Sequence, residues 1–80
     1  MTSVTTSANE WVGDFARLLG LNPPSDDDTT SILALAGAAA HASERTAAPV
    51  ACWLAASAGL SAGEALALVH QFVNGDVEPR

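Results

Sequence analysis

The chain contains no lysine, no tyrosine and a single cysteine, Cys52. Three arginines against nine acidic residues leave a formal net charge of −6. Such a surface repels phosphate backbones and anionic lipid headgroups, so neither nucleic acid nor a membrane is expected as a partner. A lone cysteine has no intrachain partner, which excludes a disulfide framework. Spacings such as Cys-x-x-Cys or His-Glu-x-x-His are missing, so no metal is expected. The glycine-rich loop that cradles a nucleotide is missing too, and no cofactor is expected. The opening MTSVTTSANE shows no basic region followed by an apolar run, as a secretory signal would. Thr46–Gly63 is uncharged, but Pro49, serines and glycines interrupt it and it falls short of a membrane span. These features lead us to expect a cytoplasmic protein.

Aromatic residues are scarce as well: two tryptophans and two phenylalanines. Alanine takes their place. It orders into helix at little entropic cost, yet each buried alanine removes little apolar surface from water. The expected core therefore rests on Trp11, Phe15, Leu18, Leu19, Ile32, Leu33, Trp53, Leu54, Leu68, Val69 and Phe72. That is thin for a lone domain, and self-association or docking on a larger protein is expected to supplement it.

The periodicity predicts four helices. Ser7 stands three residues before Glu10, a capping-box pattern, and Trp11, Phe15, Leu18 and Leu19 follow as one apolar stripe. Gly20 fits the left-handed cap that ends this helix. Asn22-Pro23-Pro24 is a stiff connector, and Ser25 with Asp26-Asp27-Asp28 supplies caps for a second helix over about Asp27–Arg45. Its face is made of Ile32, Leu33, Ala36, Ala39 and Ala40. Gly37, costly inside a helix, predicts close approach of a neighbour. Pro49 is expected at the first position of a third helix that Gly59 closes. Ser61 and Glu64 form a second capping box for a fourth helix, with Ala65, Leu68, Val69, Phe72 and Val73 inward and Asn74-Gly75 at its end. The expectation is an all-α, compact four-helix domain with short connections over residues 1–80, with a frayed start (1–6) and a polar tail (76–80).

Polar chemistry concentrates in His41–Leu54, HASERTAAPVACWL. Glu44 and Arg45 are neighbours and do not face each other on a helix, whereas His41 lies within reach of both. Glu44 is electrostatically misplaced at a helix C-terminus, so it is expected to reach across the turn and accept from the N–H groups of Val50 and Ala51. In that reading Glu44 and Pro49 fix the corner. His41, bonded to Glu44, is a surface residue with no nucleophile in sight. His70, opposite or beside the buried stripe of the fourth helix, is expected to be a solvated or boundary residue. Cys52 has no basic neighbour to activate it and is expected to be a buried, inert thiol. Asp26-Asp27-Asp28 lacks the alternation and glycine of a calcium loop. Ser31 does not suit a carrier-protein attachment site, because Thr30 precedes it and the connector before its helix is short. No catalytic residue is assigned.

The run His41-Ala42-Ser43-Glu44-Arg45-Thr46-Ala47-Ala48-Pro49, with Trp11 upstream and Leu54 downstream, resembles a small actinobacterial helical domain of unknown function. That family is found alone or appended to molybdenum-cofactor guanylyltransferase-type proteins. Where the family pattern has a proline after the Glu-Arg pair this chain has Thr46, and where it often has Leu-Thr after Pro49 this chain has Val50-Ala51. The resemblance, over roughly Trp11 to Phe72, implies an accessory role near that pathway. The expected function is a non-enzymatic interaction module, whose partner is another protein or a second copy in a homodimer. The corner between the second and third helices is its contact surface: Arg45 the charged anchor, Trp53 the apolar one, His41 beside them. The alternative is a binder that holds a pterin or nucleotide intermediate between helices.

Overall fold

A computed structural model describes residues 7–78. Four helices follow in chain order: α1 (Ala8–Leu18), α2 (Asp26–Ala42), α3 (Ala47–Ser57) and α4 (Ala62–Val73). The described residues contain no strand, so the fold is all-α with short connections, as expected. The expected frayed start over residues 1–6 lies outside the described residues, as do the last two residues of the polar tail.

The helix ends follow from local chemistry. Ser7 Oγ accepts from the Glu10 N–H (3.2 Å), and Glu10 Oε1 accepts from the Ser7 N–H (3.2 Å), closing the capping box of α1. The second box is tighter: Ser61 N–H donates to Glu64 Oε1 at 2.8 Å, and Glu64 N–H donates to Ser61 Oγ at 3.1 Å. The Ser61 backbone N–H, and after it the Ser61 hydroxyl, hold the Glu64 carboxyl below its ordinary pKa, against a small opposing effect of desolvation. Ser25 caps α2 by accepting from the Asp28 N–H (3.0 Å). At the far end of α1, Gly20 takes φ 75°, which lets Leu21 N–H reach back to the Ala16 carbonyl (2.9 Å). Gly59 does the same after α3, with Leu60 N–H on the Ala55 carbonyl (3.2 Å).

α2 is the centre of the packing. Both α3 and α4 lie against it, and they touch each other much less than either touches α2. Leu35 and Ala39, one turn apart on α2, are buried, as is Ala65 of α4, and Ala51 and Ala55 of α3 are half-buried. Small residues at this seam let the backbones approach, so three helices form a compact unit with little side-chain volume inside.

Three expectations about the core do not hold. Leu35, absent from the expected core, is its largest buried side chain, while Leu33 points outward. The stripe of α2 is rotated because both neighbours lie on the Leu35–Ala39 side. Trp11, Phe15, Leu18, Leu19, Trp53, Leu54, Leu68 and Phe72 are exposed rather than buried. Gly37 is exposed, and a Cβ there would meet nothing within 4 Å, so no helix approaches it.

α1 accounts for much of the exposed surface. Among the described residues it makes no helix–helix contact with α2, α3 or α4. Its one buried residue, Ala16, sits beneath the turn that Gly20 and Leu21 fold back over α1. Trp11 and Phe15 stack on each other (ring centroids 5.3 Å apart, planes at 26°), and among the described residues no other helix packs against them.

Candidate functional site

α2 ends at Ala42, three residues earlier than expected, because Ser43 leaves helical geometry (φ −130°, ψ −100°). Serine competes with the helical backbone for hydrogen bonds and suits such a break. Glu44, Arg45 and Thr46 therefore form a turn rather than a last helical turn. α3 then starts at Ala47, so Pro49 occupies its third position and not its first. Proline is tolerated there because N–H groups in the first turn have no intrahelical acceptor.

This turn removes the reason for a Glu44 cap. The Glu44 carbonyl accepts from the Ala47 N–H (2.9 Å), and the Arg45 carbonyl accepts from the Ala48 N–H (3.1 Å). Two first-turn donors are thus satisfied by backbone, and proline supplies none. The Glu44 carboxylate accepts instead from the Thr46 hydroxyl (3.2 Å), and no side chain caps α3. The expected bonds from Glu44 to Val50 and Ala51, and from His41 to Glu44, are not formed. His41 lies on the last turn of α2 and Glu44 beyond its end, so helical spacing no longer relates them.

His41, Arg45 and Trp53 are exposed, Trp53 with 73% of its surface accessible. No hydrogen bond or ion pair among the described residues links any two of them. Arg17 pairs with Asp14 on α1, whereas Arg45 forms no ion pair among the described residues. Cys52 is a free thiol, half-buried rather than enclosed, and His70 is exposed. No set of three His, Cys, Asp or Glu side chains among the described residues is arranged to hold a metal ion. No helix of the described residues is long and apolar enough to cross a membrane.

The concave surface lies elsewhere. α3 and α4 splay apart above α2 and leave an open groove of about 480 Å³. Leu35 and Ala65 form its floor; Ala51, Leu54, Ala55 and Ala58 form one wall; Leu68, Val69 and Phe72 form the other. Leu60, Val77 and Glu78 complete the lining. Apart from the Glu78 carboxylate the lining side chains are all apolar. The residue reading missed this groove because it assigned Leu54, Leu68, Val69 and Phe72 to a closed core. The signal was the thinness of that core: too few large side chains to fill the space between three helices.

A family model described as a domain of unknown function, DUF6457, matches residues 3–78. No curated protein and no solved structure matches the chain.

Proposed function

The chain belongs to the DUF6457 family, and we propose that it is a non-enzymatic, cytoplasmic interaction module that seats an amphipathic helix of another protein chain in the groove between α3 and α4. One observation carries this reading. The groove is open and lined almost wholly by apolar residues, which run along about two turns of each flanking helix, from Ala51 to Ala58 and from Ala65 to Phe72. An apolar trough between two helices is the form that receives the hydrophobic face of a third. The net charge of −6 disfavours nucleic acid. His41 at the end of α2, Arg45 in the turn and Trp53 on α3 add exposed anchor types, with arginine and tryptophan among the residues that dominate interface energetics.

A pterin or nucleotide is a poorer occupant. Such ligands need a few convergent polar groups to fix their orientation, and the groove offers Glu78, whose charge repels phosphate. Catalysis has similarly little to draw on. Hydrogen bonds between two side chains among the described residues join Ser7 to Glu10, Arg17 to Asp14 and Thr46 to Glu44, and none includes His41, Cys52 or His70.

The resemblance to domains appended to molybdenum-cofactor guanylyltransferases supplies a first partner to test. Isothermal titration of the full chain into a purified guanylyltransferase of that type is expected to give saturable binding. Leu68→Asp should remove it, and Arg45→Ala should weaken it. Binding untouched by Leu68→Asp would overturn the groove as the contact surface. Thermal stabilisation by a pterin or nucleotide, without any protein binding, would favour the alternative.

A further inference from the structure

We propose that the helix seated in the groove is α1 of a second copy of this chain, so that two copies exchange α1 reciprocally and close a symmetric dimer. This rests on the reading of the groove as a helix seat and names its occupant. Three observations carry it.

The first is that α1 is a helix without a seat and the groove is a seat without a helix. α1 presents Trp11, Phe15, Leu18 and Leu19 on one side, with exposures of 58%, 45%, 79% and 56%. No other helix covers them. At 1.5 Å per residue the stripe from Trp11 to Leu19 is about 12 Å long, and the groove lining from Ala51 to Ala58 and from Ala65 to Phe72 is about 10–11 Å, so the two match in length.

The second is the connector. The Gly20–Leu21 fold-back fixes the direction in which the chain leaves α1. Asn22 is held extended by Pro23, and Pro23 by Pro24, while both prolines have fixed φ. A segment this stiff holds α1 away from its own α2–α4 unit. Delivering α1 to its own groove requires breaking that geometry. Delivering it to a neighbour keeps the observed conformation, which is the circumstance in which exchange between identical copies occurs.

The third is area. Full exposure of side chains of this size corresponds to about 200 Å² each. The exposures on the α1 stripe then leave about 500 Å² to cover, and Leu54, Leu68 and Phe72 at 61%, 46% and 55% leave roughly 300 Å² on the groove walls. Two reciprocal contacts that covered this surface fully would bury up to about 1,600 Å², within the range of a stable specific interface. The contact is isologous: each copy gives one α1 and offers one groove, so neither a helix nor a seat is left over to propagate a filament.

Sedimentation equilibrium of the full chain tests the exchange by complementation. The wild type is expected to be a dimer at micromolar concentration. Phe15→Asp disables the inserted helix, and Leu68→Asp or Phe72→Asp disables the seat. These positions are exposed, so circular dichroism should show helix content retained, and each variant alone should dimerise at least about 30-fold more weakly. Mixed one to one, Phe15→Asp and Leu68→Asp should recover a heterodimer, since the α1 of one still fits the groove of the other. Three results would overturn the exchange: a wild type that stays monomeric up to millimolar concentration, a Phe15→Asp chain that dimerises like the wild type, or a mixture that recovers nothing. A monomeric wild type that binds its guanylyltransferase partner, and loses it with Leu68→Asp, sinks the exchange but leaves the groove reading standing. Loss of both takes down the two together.

Discussion

Gly37 sits in the middle of α2 with open space where a Cβ would stand. Glycine in a helix interior costs about 1 kcal/mol against alanine, chiefly through the freedom it has in the unfolded chain. With no neighbour to clash against, Gly37→Ala is expected to raise the free energy of urea unfolding by about 0.5–1 kcal/mol. Destabilisation would mean that another chain approaches this face. Glu64 yields a prediction of a different kind. Its carboxyl is held below the ordinary glutamate value by the Ser61 N–H and hydroxyl, so the folded state binds the proton less readily than the unfolded state. The stability this confers is present above the ordinary value and is lost as pH falls through the lower folded value. Glu64→Gln keeps an acceptor but removes the titration. The gap between the urea midpoints of the two proteins should therefore narrow on acidification through that window. A gap that stays constant with pH would disconnect the carboxylate from the capping box.

At the scale of elements, what the residues disclosed was what depends on near neighbours. Ser7 with Glu10 and Ser61 with Glu64 announce helix starts because a serine oxygen and a glutamate three residues on can satisfy each other's backbone donors whatever the rest of the chain does. Gly20 and Gly59 announce ends for the same local reason. The end of α2 was not legible, because the helical pattern continues through Glu44 and Arg45 while Ser43 breaks the backbone. The role of Glu44 was misjudged in consequence: its backbone carbonyl, and not its carboxylate, meets the first donor of α3, the Ala47 N–H. Periodicity shows that Trp11, Phe15, Leu18 and Leu19 share a face of α1, yet it carries no information on what covers that face. Core membership failed on the same ground, since burial of Leu33 or Leu35 depends on where α3 and α4 lie around α2.

For the whole molecule, the balance between buried and exposed apolar surface governs how it unfolds. The buried residues among those described are Ala16, Leu35, Ala39 and Ala65, three of them alanines, while both tryptophans and both phenylalanines remain exposed. Scarce large side chains were legible in the composition; the groove was not, because it arises from the splay of α3 and α4 on a seam too small in volume to draw them together. A chain that hides little surface exposes little on unfolding, and the urea m-value scales with that change. The monomeric Phe15→Asp chain is therefore expected to unfold with an m-value below about 1 kcal/mol/M, at the bottom of the range for small proteins. The wild type at high concentration has additional surface to expose when it unfolds, and its m-value should be larger. Its melting temperature should also climb with protein concentration, because dissociation accompanies unfolding and mass action opposes it. Calorimetry at a series of concentrations measures that climb. A melting temperature independent of concentration, with equal m-values for the two proteins, would mean that the exposed stripe of α1 is covered by nothing from another chain.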